Sequence, residues 1–228
     1  MVALGGRGFT HLGRASAIDR YVLGLARTPS PKICFIPTAS HDPAARVRRF
    51  YRAFRELDCT PSHLDLFRQT IEDIPSFLRA QDVIYVGGGN TRNLLALWKL
   101  WGVDRAVIAA YRRGTVLAGV SAGALCWFRD GITDSWAGRL EPLRCLGLID
   151  ASFAPHYDSE PGRRPTFARL IAKGKLAGGY AADDGVALVF ADERFREAVS
   201  DVTGSSAWRV TRAVRGARER AISPRFLE

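Results

Sequence analysis

Short apolar runs alternate along this chain with segments whose apolar residues recur every three or four positions. Runs at Val2–Leu4, 32–37 (stopped by Pro37), 82–86, Val116–Val120, 152–156, Gly179–Ala182, 186–190 and 208–210 read as strands. Between them, Val47, Phe50, Tyr51, Phe54 and Leu57 share one face of a helix that Asp42 caps and Pro43 opens. Arg46, Arg48, Arg49, Arg52 and Arg55 lie mostly away from that face, as on a helix packed against a sheet. A second helical pattern runs through Leu94, Leu95, Leu97, Trp98 and Trp101, and a third spans 104–113 and stops at Gly114. A fourth covers 166–173. This alternation predicts an α/β fold on a mostly parallel sheet. From Arg215 to Glu228 the chain is basic and aperiodic, so order is not expected throughout the tail from about 215.

A chain of 228 residues without repeats, low-complexity tracts or linkers is expected to form one domain, 1–228. No apolar run reaches the ~18–20 residues of a membrane span. The N-terminus lacks a secretory pattern, so no membrane association and a cytoplasmic location are expected. The net charge of +10 raises the question of a nucleic-acid partner. The arginines are spread along helix faces, however, and no nucleic-acid-binding motif accompanies them. A solvated basic surface is the expectation, with no nucleic acid bound. Four cysteines show no C-x-x-C spacing, and four histidines show no paired-ligand spacing. Neither a metal nor a cofactor is expected.

The chemistry concentrates at strand exits, where open parallel sheets bind ligands. Gly119-Val120-Ser121-Ala122-Gly123 puts a serine in Gly-x-Ser-x-Gly, between a strand and a helix. Such a turn exposes its corner side chain and leaves helix N-terminal amides free to meet an oxyanion. A plain helix cap is the other reading of the same residues. Gly87-Gly88-Gly89 allows close backbone approach but is no phosphate loop, because no Gly-Lys-Ser/Thr follows. His156, at a third exit, is the natural base for Ser121. If the strands are parallel, all three exits gather at one edge. Asp134, Asp158, Glu160, Asp183 and Asp184 compete to orient the imidazole, and spacing does not choose among them.

Together, 85–91, 119–123, Pro155-His156-Tyr157 and Asp183-Asp184-Gly185 resemble the peptidase E family of serine peptidases, relatives of the cyanophycinases. The likeness extends from about Ile33 to Phe190. It implies a three-layer α/β/α sandwich like that of class I glutamine amidotransferases, with Ser121 in place of their cysteine. It further implies Ser121 as nucleophile, His156 as base, the Gly88 and Ala122 amides as oxyanion donors, and Asp184 or, second, Asp134 as third member. The family position often holds glutamate, one methylene longer than Asp184. Gly89, Asn90, Glu160, Arg163 and Arg164 fall in the stretches that contact substrate, with either arginine suited to a substrate carboxylate. The implied reaction is hydrolysis of short peptides, with a preference for N-terminal aspartate. A cyanophycinase-like β-aspartyl peptidase and a non-catalytic binding protein of the same fold are the alternatives. A homodimer is a further expectation, since a partner often screens a small active site.

Overall fold

The computed structural model describes residues 1–41 and 43–228, so the expected cap at Asp42 lies outside the described residues. In chain order the elements begin β1 (Val2–Leu4), α1 (Phe9–Leu12), α2 (Ala17–Gly24), β2 (Lys32–Ile36), α3 (Pro43–Phe54), β3 (Thr60–His63) and α4 (Ile74–Arg79). Next come β4 (Val83–Val86), α5 (Thr91–Trp101), α6 (Val103–Arg112), β5 (Val116–Val120), α7 (Ala122–Leu125), β6 (Phe128–Trp136), β7 (Arg139–Arg144) and β8 (Ile149–Ala154). The chain closes with α8 (Arg163–Ala172), β9 (Gly179–Ala182), β10 (Val186–Ala191), β11 (Arg194–Ser200), β12 (Ala207–Arg212), β13 (Ala217–Ile222) and β14 (Arg225–Phe226).

The main sheet has eight strands in the order β14-β11-β10-β1-β5-β4-β2-β3. From β1 to β3 they run parallel, and β10 turns antiparallel against β1. Strands β1, β2, β4 and β5 are buried on both faces, so their sequences are almost continuously apolar, whereas the edge strand β3 is polar and partly exposed. Alternate residues feed opposite cores. Val2, Leu4, Ile33, Phe35, Val83 and Tyr85 pack under α1–α3, where Phe9, Phe50 and Phe54 form an aromatic cluster. Ala3, Cys34, Ile36, Ile84 and Val86 meet Leu94, Trp98, Val103 and Val107 of α5 and α6 on the other face. The result is the expected three-layer α/β/α arrangement.

A second sheet was not anticipated. Six strands in the order β13-β12-β9-β8-β6-β7 pack against the α5–α6 side of the core through Phe128 and Phe153. Strands β6, β8 and β9 are mutually parallel and the outer pairs antiparallel. Helix α8 covers this sheet with Phe167, Leu170 and Ile171. The expectation of incomplete order beyond about residue 215 is corrected here. Strand β13 pairs along its whole length with β12, from Ala207↔Ile222 to Arg212↔Ala217, and β14 pairs with β11. Charged residues alternate on its exposed side, which removed the apolar run that marks a strand, while backbone pairing supplies the order. Among the described residues, no helix is long and apolar enough to cross a membrane.

Candidate active site

Strand β5 ends at Val120, and the chain reverses into α7 at Ser121, whose φ of 57° and ψ of −116° lie in a sparsely populated region. The two glycines make that corner possible. A Cβ on Gly119 would strike the Gly123 carbonyl, and one on Gly123 would strike the Val86 carbonyl of the neighbouring strand. Ser121 N–H donates to Leu4 O at 3.0 Å, fixing the elbow against β1. The serine side chain caps no helical amide, so the plain-cap reading does not hold. Gly88 lies alongside, with Ser121 Cβ 3.1 Å from where its own Cβ would stand. Among the described residues, the amides of Gly88 and Ala122 have no hydrogen-bond acceptor.

His156 follows β8 and so enters from the second sheet, not from the edge shared by the two glycine-rich exits. Its N–H donates to Gly5 O at 3.3 Å, which ties it to the exit of β1. Its Nε2 lies 2.8 Å from Ser121 Oγ, and its Nδ1 lies 2.7 Å from Asp184 Oδ1. Asp184 sits where the chain passes from β9 in the second sheet to β10 in the first. The site therefore stands at the junction of the two sheets. Partial burial opposes ionisation of Asp184, yet hydrogen bonds from His156 and Ser159, with the nearby charges of His156 and Arg7, hold its carboxyl below the usual range. Asp183, its neighbour, faces the other way and accepts from Ser206 N at 2.9 Å and Trp208 Nε1 at 3.1 Å. Asp158 accepts from Asp184 N at 2.9 Å, bracing the same turn.

The remaining expected residues separate. Asp134, with its side chain 65% exposed, lies 4.0 Å from Arg163 and is not joined to His156. Gly89 and Glu160 line the cavity over Ser121, which measures about 690 Å³. Asn90 does not line it; its Oδ1 accepts from Asn93 N at 2.9 Å to cap α5, and its Nδ2 donates to Ser135 O at 3.3 Å. Arg163 is buried, pairs closely with Glu160 and donates to Ile132 O at 3.2 Å. Arg164 turns outward, pairs with Glu219 at 2.7 Å and stacks 4.1 Å over Trp208. Neither is held ready for a substrate carboxylate. The cations that line the cavity are instead Arg7, Arg46 and Arg49. Sequence reading placed Arg46 and Arg49 on a solvated helix face; both donate to Thr10 O, which draws them toward the site. The available signal was Gly5-Gly6-Arg7-Gly8 at the exit of the first strand. Among the described residues, no group of three or more His, Cys, Asp or Glu side chains is placed to hold a metal ion.

A sequence profile of Peptidase family S51 matches residues 1–198. The chain belongs to this family. It is a serine-type peptidase with the fold and elbow that the resemblance implied. Over 213 residues, 93% of this chain and 92% of its relative, it is 50% identical to YgaJ, an uncharacterised peptidase of Bacillus subtilis strain 168. Over 84 residues, 36% of this chain and 35% of the relative, it is 34% identical to peptidase E of Streptomyces coelicolor. The crystal structure of a peptidase from an acI-B1 actinobacterium superposes with a TM-score of 0.72 over 98% of this chain and 93% of that one. At 17% identity, that agreement is one of fold.

Proposed function

We propose that this S51 peptidase hydrolyses short peptides through Ser121, with His156 as general base and Asp184 as the group that orients it. The observation that carries the reading is the continuous relay of 2.8 Å from Ser121 Oγ to His156 Nε2 and 2.7 Å from Nδ1 to Asp184. A serine hydroxyl is a weak nucleophile until a base takes its proton, and an anionic partner at Nδ1 sets the tautomer that leaves Nε2 free to do so. Ser121 Oγ attacks the scissile carbonyl as its proton passes to Nε2. The carbonyl oxygen becomes an oxyanion, met by the unengaged amides of Gly88 and Ala122. Collapse breaks the C–N bond, and the imidazolium gives its proton to the leaving amine. Water, deprotonated by the same base, then releases the acyl group and regenerates Ser121.

The preferred substrate is a short peptide beginning with aspartate. The arginines among the residues that line the cavity, Arg7, Arg46 and Arg49, support an acidic substrate, and the peptidase E of Streptomyces coelicolor among the relatives supports the class. Ser121→Ala lowers kcat by at least ~10³-fold in a folded sample, judged from other serine triads. Near-normal hydrolysis by that variant overturns the reading. A panel of α- and β-aspartyl dipeptides separates it from an isopeptidase.

A further inference from the structure

The cavity over Ser121 is lined by charges of both signs. Arg7, Arg46 and Arg49 line it, the last two held on Thr10 O, and so do Asp134, Glu160 and the His156-bound Asp184. Glu160 pairs closely with the buried Arg163, and Asp134 lies 4.0 Å from the same guanidinium. Two carboxylates thus share one cation, and a net negative charge faces the cavity. Arg49 sits on α3 with NH1 anchored to Thr10 O at 3.0 Å. No carboxylate among the described residues lies within ion-pair distance of Arg49 or Arg7. A guanidinium carries five donors, so one anchoring bond leaves a fork able to meet a carboxylate twice.

We propose that Arg49, backed by Arg7, is the specificity-determining cation of this peptidase. It binds a substrate carboxylate, while the Glu160–Asp134 pair receives the α-ammonium. The proposal rests on the peptidase reading above and replaces Arg163 and Arg164 as the acid-recognising residues. A carboxylate on a short peptide comes either from an aspartyl side chain or from the C-terminus. Both sources offer the same chemistry, and the experiment distinguishes them.

The test compares wild type with Arg49→Ala, Arg49→Lys and Arg7→Gln on three substrates: Asp-Leu, Ala-Leu and Asp-leucinamide. Arg49 is exposed, so its variants are expected to fold, and circular dichroism with thermal melting checks this. Arg49→Ala is expected to lower kcat/KM for Asp-Leu roughly 10-fold or more, mainly through KM, with Arg49→Lys recovering part of the loss. Loss of discrimination between Asp-Leu and Ala-Leu assigns the contact to the side chain. Loss of discrimination between Asp-Leu and Asp-leucinamide assigns it to the C-terminus. Calorimetric titration of L-aspartate into wild type and Arg49→Ala reads the same contact without turnover, and a weakening of roughly 10-fold is expected. Unchanged ratios in every variant, with unchanged aspartate binding, overturn the proposal. Labelling with an uncharged fluorophosphonate separates this failure from the other. Labelling retained by Arg49→Ala leaves the serine intact and puts the effect in recognition, whereas a wild type that neither labels nor cleaves refutes the serine mechanism itself.

Discussion

Gly6 occupies the point where the exit of the first strand passes beneath the His156–Asp184 pair. A methyl group on its α-carbon would overlap Asp184 Oδ1 and stand 2.7 Å from His156 Nδ1. Hydrogen at that position is therefore a condition for the imidazole and carboxylate to meet. Gly6→Ala should push them apart without exposing apolar core, so kcat falls by roughly 10²-fold or more while the melting temperature changes little. A variant with wild-type kcat would show that the pair tolerates displacement. Asp184→Asn tests the same contact from the other side. It keeps the shape but supplies no anion to the imidazolium, and kcat is expected to fall by about 10⁴-fold with KM nearly unchanged. Ser121 and His156 stand out in the sequence because each sits at a strand exit, whereas Asp184 is singled out from the other carboxylates only by the family resemblance. Gly6 and Arg7 also sit at a strand exit, but the role of Gly6 is defined by His156 and Asp184, far along the chain, and no local pattern announces it.

At the scale of elements, strands β1, β2, β4 and β5 and helices α3, α5 and α6 were legible, the strands because burial on both faces forces nearly uninterrupted apolar runs; the polar edge strand β3 was not. In the second sheet β8, β9 and β12 were legible as strands, but β6, β7 and β13 were not, nor was their union in a separate sheet. Its outer strands expose one side, where Arg139 and Glu141 on β7, or Arg218 and Arg220 on β13, break up the apolar signal. Charged positions of this kind also guard an edge strand against unwanted pairing. Strand β13 has a further task. Glu219 accepts from Tyr157 O–H at 2.6 Å and from Arg164 Nε at 2.8 Å, so the C-terminal segment clamps the residue next to His156. Burial, then the Glu219 hydrogen bond and charge, push the Tyr157 hydroxyl well above its ordinary range, and it remains a donor at any physiological pH. Glu219→Ala leaves Tyr157 and Arg164 without their acceptor and should destabilise the protein by about 1–3 kcal/mol in urea unfolding. Glu219→Gln, which keeps an acceptor oxygen, should recover most of that. Equal losses in both variants would show that charge, rather than the hydrogen bond to Tyr157, is what matters.

For the molecule as a whole, stability is traded against the placement of the loop that carries Arg7. Asp19 is fully buried beneath that loop, on α2. Its Oδ2 accepts from Phe9 N at 2.8 Å and Ser16 N at 2.9 Å, joining the start of α1 to the cap of α2. Its Oδ1 and the buried Tyr85 hydroxyl both lie against Gly8 without closing a hydrogen bond in this geometry. Desolvation outweighs the donors around it and pushes the carboxyl from 3.8 up to about 6. The folded protein then holds a proton that the unfolded chain has released. Between those two values, stability contributed by this residue falls as pH rises, and above about 6 the loss is complete. Asp19→Asn removes the titration while an amide oxygen still accepts from Phe9 and Ser16 and its NH₂ donates toward Tyr85. Measured against wild type by urea unfolding, the variant should gain relative stability steadily between pH 4 and pH 6, with no further gain above. Parallel curves across that range would mean that Asp19 stays ionised in the folded state, with donors strong enough to offset its burial. In either outcome the loop keeps its anchor, so peptidase activity at neutral pH reports whether Arg7 needs the charge of Asp19 or only its shape.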